Sequence, residues 1–182
     1  MQKIGVFITS LLVFLLPLWF LPITPDFYEF NKQVLLIAGS LVLFTLLSIQ
    51  WLQQKQIKIL RTPLDIPTLL LLVSFLLSTV FYSPNKSEAL LDLGQTGTYL
   101  ACAIIAFAIA NFVRSKRDFE QIFSFFLLST FILSIIAILW GTGLAPKIIQ
   151  GSLSAFSSEL WSPSGNPLNL IVFLLVGLIF AG

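Results

Sequence analysis

The sequence predicts an all-α fold, a polytopic transmembrane bundle of five complete spans plus a truncated sixth with its amino terminus in the cytoplasm. Three observations predict it. The chain is 57% hydrophobic and only 10% charged, so it lacks the polar surface that a soluble domain of this size shows to water. Its apolar residues fall in runs of about 20, the length of helix that crosses a bilayer core. Its ten cations alternate between rich and poor loops: Lys3, Lys55, Lys58, Arg61, Arg114, Lys116 and Arg117 make seven on one side, and Lys32, Lys86 and Lys147 make three on the other. The positive-inside rule puts the richer side in the cytoplasm.

The spans follow in order. Residues 4–23 form the first, read as an uncleaved span because no small-x-small cleavage site interrupts or follows it. Pro17 and Pro22 are expected to kink or fray its outer end, where Trp19, Phe20, Phe27 and Tyr28 collect as interfacial anchors. The second span covers 33–52 and ends on Trp51 at the inner face. Asp65 is placed to cap the third, 66–82, with Pro67 tolerated in the first turn. Asn85 and Glu88 stand at capping-box spacing before a short outer helix that reaches Leu91.

The fourth span, 93–113, carries Gly97, Ala101, Ala106 and Ala110 in pairs four residues apart, which lets neighbouring helices approach and predicts a place inside the bundle. Cys102 reads as a small packing residue there. The fifth, 119–140, is rich in Phe and is expected to face lipid in part. A sixth run, 167–182, is too short to be complete, so the chain is expected to be a fragment.

Composition excludes several function classes. The chain has no His and a single Cys, so neither a zinc site nor a disulfide framework can be built, and no metal or cofactor is expected. A net charge of +2, with its cations dispersed, excludes a nucleic-acid partner. No ionisable residue lies deep in an apolar run, which argues against a proton or ion relay. Gln95, Thr96 and Asn111 read as hydrogen-bond partners in helix packing.

The chemistry therefore has to come from the outer loop, 141–166. Ile149, Leu153, Phe156 and Leu160 share one helical face there, opposite Gln150, Ser152, Ser154, Ser157 and Ser158. Such a helix lies in the membrane interface, either covering the bundle or receiving a lipid-linked head group. It leads into Trp161-Ser162-Pro163-Ser164-Gly165-Asn166-Pro167, a turn at the start of the sixth run. The candidate substrate-binding residues are Lys147, Ser164, Gly165 and Asn166, because a helix amino terminus with free amides and hydroxyls suits a phosphate oxygen. The alternative for Lys147 is a solvated or lipid-phosphate contact.

Several stretches together resemble the amino-terminal part of the O-antigen ligase and polymerase superfamily of bacterial polytopic glycan-transfer proteins. They are residues 17–23 with Phe30-Asn31-Lys32-Gln33, then Arg61-Thr62-Pro63-Leu64-Asp65-Ile66-Pro67, then Leu77-Ser78-Thr79-Val80-Phe81 with Ser83-Pro84, and Gly165-Asn166-Pro167-Leu168-Asn169. The resemblance implies transfer of a glycan from a polyprenyl diphosphate carrier to a lipid or glycan acceptor at the outer face of the bacterial cytoplasmic (inner) membrane, without metal or nucleotide at that step. It implies catalytic Arg and His residues in an outer loop beyond Gly182, so no catalytic residue is assigned within this chain. Many relatives carry an Arg shortly before the Gly-Asn-Pro turn, whereas Glu159 and Leu160 stand here. That contact with the diphosphate is not carried over. Two other functions stay open. One is a solute transporter or transport-associated protein, which polar midplane residues in broken helices would favour. The other is a non-catalytic membrane assembly subunit, which leaves the loop motifs without a role.

Overall fold

The computed structural model describes residues 1–20, 29–57, 60, 62–92, 94–143 and 163–181. Every regular element among them is an α-helix: α1 (Gln2–Leu18), α2 (Glu29–Gln54), α3 (Asp65–Phe81), α4 (Lys86–Leu91), α5 (Thr96–Phe112), α6 (Lys116–Gly141) and α7 (Pro167–Ala181). Each expected run overlaps one of these helices, the first, 4–23, only as far as Leu18 and the fourth, 93–113, only from Thr96. Two of them, α2 and α6, are 26 residues long and apolar enough to cross a membrane. Four others are apolar but shorter, with 17 residues in α1, α3 and α5 and 15 in α7, and α4 is a polar-fronted helix of 6 residues. At about 1.5 Å per residue, 17 residues reach only about 25 Å.

Local chemistry sets the ends. Pro17 falls in the last turn of α1, which stops at Leu18, while Pro22 and the anchors Phe27 and Tyr28 lie outside the described residues. Asp65 does not cap α3 from in front of it. Leu64 holds the cap position without a side-chain bond, and Asp65, the first helical residue, turns its carboxylate back to accept from the Thr62 amide at 2.7 Å and from the Thr62 hydroxyl. The carboxylate thus closes the turn before the helix and sits at the positive end of the helix dipole. Asn85 behaves as expected, its Oδ1 accepting from the amides of Ser87 (3.2 Å) and Glu88 (3.4 Å). Helix α5 begins three residues later than expected because Gly94 adopts φ +79° and Gln95 is extended, making a corner after α4.

The chain forms two compact units, Met1–Leu12 with Gln33–Ile122, and Val13–Lys32 with Phe123–Gly182. In the first, α1, α2 and α5 share a core of Val6, Leu12, Leu43, Leu47, Ala108 and Phe112. Glycines bring these backbones close: an added Cβ at Gly5 would stand 2.5 Å from the Phe112 ring, and one at Gly39 would stand 2.4 Å from Leu12. Buried Thr9 and Ser10 return their hydroxyls to the carbonyls of Gly5 and Val6, so neither hydroxyl is stranded against its apolar neighbours.

Helix α5 is central to this unit but not through all the expected small residues. Ala101 and Ala108 are buried, whereas Ala106 and Ala110, with Ala103, line an open groove of about 540 Å³ beside Phe44, Leu69 and Leu72. Cys102 is exposed on the outer side of α5 instead of packed.

In the second unit α6 packs on α7. Phe126 meets Phe173 with ring centroids 5.3 Å apart, and Phe123 meets Phe180 at 5.9 Å. Gly177 makes that approach possible, since a Cβ there would come within 2.2 Å of Thr130 Cγ2. The Phe-rich helix thus divides its rings between α7 and the surroundings, to which Phe119 and Phe131 remain exposed.

Candidate functional site

The turn before α7 belongs to the second unit and starts from Pro163, which is buried. Gly165 reverses the chain with φ +80°, a conformation that glycine adopts without a Cβ clash. Asn166 then caps α7. Its Oδ1 accepts from the Leu168 amide at 2.9 Å, its carbonyl accepts from the Leu170 amide at 3.1 Å, and Pro167 fills the first helical position where no amide is needed. The Asn166 carboxamide oxygen is therefore committed to the helix. Its nitrogen is left to donate.

The cation at this turn comes from an unexpected place. Lys32, in the first turn of α2, donates from Nζ to the Pro163 carbonyl at 2.7 Å, across a separation of 131 residues. One of three ammonium hydrogens makes that bond, which sets a positive charge beside the turn of Ser164, Gly165 and Asn166. In the sequence Lys32 stands as an outer-loop charge and as part of the resembling stretch, with no site role. The signal available was its place in Phe30-Asn31-Lys32-Gln33, a polar group opening an otherwise apolar helix. Asn31 in that group is also buried. Lys147, the cation expected near the turn, lies outside the described residues, as do Ile149, Leu153, Phe156, Leu160 and the serines opposite them.

A second polar constellation belongs to the first unit. Thr98 Oγ1 donates to Gln33 Oε1 at 2.9 Å and accepts from the Gly94 amide at 2.9 Å. Buried Thr79 and Thr96 share a hydroxyl–hydroxyl bond that ties α3 to α5. Gln33 is 2% exposed, and its Nε2 meets no acceptor among the described residues. Thr96 and Asn111 act in packing as expected. Asn111 accepts from the Leu60 amide at 3.3 Å and donates to the Phe107 carbonyl at 2.8 Å, pinning the segment before α3 to the end of α5.

These contacts also sort the charges of the first unit by end. At one end Gln2 donates to Asp118 at 3.2 Å, Asn111 holds Leu60, and Trp51 meets Phe107 edge-on at 6.2 Å. Lys3, Lys55, Arg114, Lys116 and Arg117 gather around that end. At the other are Gln33, Thr98, Thr79 and Thr96, with Lys86 in the α3–α5 connection.

No group of His, Cys, Asp and Glu among the described residues has the makings of a metal site. What the turn offers chemically is anion binding through an ammonium and a helix amino terminus. The chain matches no family model, no curated protein and no solved structure.

Proposed function

We propose that this chain is the amino-terminal, multi-pass membrane part of an O-antigen ligase-like protein of the bacterial inner membrane. In this reading the amino terminus is cytoplasmic, the five expected spans cross the bilayer, and a glycan moves from a polyprenyl diphosphate carrier to a glycan or lipid acceptor at the outer face. Two helices long enough to cross, and large apolar side chains exposed along α3 and α7, support lipid as the solvent.

One observation carries the choice of ligand chemistry. The bond from Lys32 to Pro163 puts an ammonium against the turn formed by Ser164, Gly165 and Asn166, at loops that the cation count assigns to the outer face. A diphosphate needs donors and positive charge together, and that turn has both. Lys32 is read as a binding residue, with the catalytic groups elsewhere.

The test is transfer by the purified full-length protein reconstituted with a polyprenyl diphosphate-linked glycan. Lys32→Met keeps the apolar stem and removes the charge. A hydrogen bond to a charged group is worth about 1.5–3 kcal/mol, so kcat/KM for the donor should fall at least tenfold, chiefly through KM. Transfer with unchanged donor KM would remove Lys32 from the site. Solute flux without transfer would replace the ligase reading with a transporter.

A further inference from the structure

The cation-rich end of the first unit carries a slot that glycan transfer does not use. It has a volume of about 510 Å³ and is lined by Ser48, Trp51, Leu52, Lys55, Gln56 and Ile57. Lys55 takes φ 51°, the left-handed conformation that ends a helix, and its amide donates to the Leu52 carbonyl at 3.3 Å. The chain turns there, so the slot has one wall from the last turns of α2 and another from the segment after it.

Its lining is that of an amphiphile site. Leu52 and Ile57 are 77% and 73% exposed, although both are large and apolar. Trp51 is propped on Phe107, so its apolar wall is fixed in place. The Ser48 hydroxyl is spent on the Phe44 carbonyl at 2.9 Å, which leaves Lys55 and Gln56 as the polar groups at the rim. The acids at this end are already engaged. Asp118 accepts from the Arg114 and Ser115 amides and from Gln2, Glu120 pairs with Lys116 at 3.6 Å, and Asp65 serves Thr62. Those bonds leave the carboxylate charges in place, but Lys3, Lys55, Arg114, Lys116 and Arg117 outnumber Asp65, Asp118 and Glu120 at this end among the described residues, so the exposed ammonium of Lys55 stands in an excess of positive charge.

We infer that this slot holds an anionic phospholipid, with its phosphate on Lys55 and acyl carbons against Trp51, Leu52 and Ile57. The inference rests on the membrane reading above, but not on glycan transfer. A zwitterionic lipid would fill the same apolar slot yet gain less from the field, and free phosphate would leave the apolar walls uncovered.

Two measurements separate the inference from its premise. Flotation with phosphatidylcholine vesicles tests the membrane reading, and protein that stays at the bottom of the gradient overturns that reading. Native mass spectrometry of the micelle-solubilised protein, titrated with phosphatidylglycerol or phosphatidylcholine, then tests the slot. Lys55→Asn removes the charge while tolerating the left-handed backbone. One basic residue near a lipid surface is worth about a fivefold change in binding. Phosphatidylglycerol should therefore bind Lys55→Asn about fivefold more weakly, with phosphatidylcholine binding unchanged and with Lys86→Asn, at the opposite end, like the parent. Equal binding of the two lipids, unaltered phosphatidylglycerol binding by Lys55→Asn, or displacement by equimolar inorganic phosphate would each overturn it.

Discussion

Thr79 and Thr96 show how little polar chemistry is needed to join two apolar helices. Both are buried and their hydroxyls bond to each other, while Phe75 and Tyr99 stack nearby with ring centroids 4.1 Å apart. A double-mutant cycle with Thr79→Val and Thr96→Val, read by unfolding in mixed micelles, should give a coupling of about 0.6 kcal/mol, the usual size for such bonds in membrane proteins. Strict additivity would mean that the hydroxyls do not act as a pair. Neither threonine's partner was legible in the chain, because a hydroxyl in an apolar run bonds equally well to its own helix. Thr9, Ser10 and Thr45 do so. The partner of Lys32 is hidden for a related reason. A cation at a helix start reads as a topology marker, and only the fold brings Pro163 to it.

At the scale of elements, the runs and turns were readable because each helix is closed by a residue with a local physical effect. Pro17, Asn85 and Asn166 all act within four residues of themselves, so spacing alone locates them, whereas nothing in the spacing marks the corner that Gly94 makes before α5. Which face of a helix is covered was less readable. Ala106 and Ala110 match the small-residue spacing as well as Ala101 does, yet line an open groove, since the pattern states what a helix permits and not which neighbour arrives. The contact between α6 and α7 depends on one such permission. Gly177→Ala would place a Cβ 2.2 Å from Thr130 Cγ2. Overpacking of that kind costs about 1–3 kcal/mol, more than the gain of about 1 kcal/mol in helix propensity. Thermal unfolding in micelles should therefore show Gly177→Ala less stable than the parent, with Thr130→Ser, which removes the clashing methyl, restoring part of the loss. A neutral Gly177→Ala would show that α7 does not rest on α6 as described.

For the whole molecule, the all-helical class is evident from composition and run length, and in the first unit Lys86 stands in the connection at the other end from Lys3, Lys55, Arg114, Lys116 and Arg117. Alternation along a chain becomes segregation in space whenever successive helices reverse direction. Reporter fusions after Lys86 and after Lys116 give the direct check. The proposed topology requires an external signal from the first and a cytoplasmic signal from the second, and the opposite pair would invert it. The function could not be read in the same way, because the chemistry of the turn depends on contacts more than a hundred residues apart.

The unequal lengths of the helices have a consequence for the lipid around them. Under the topology proposed above, a bilayer meets about 39 Å of helix at α2 and α6, and only about 25 Å at α3. Acyl chains next to α3 must compress or tilt to match it, at a fraction of a kcal/mol for each ångström of mismatch. In that topology α3 would carry a thinned annulus, favouring short-tailed lipids beside it and drawing in neighbours that are equally short.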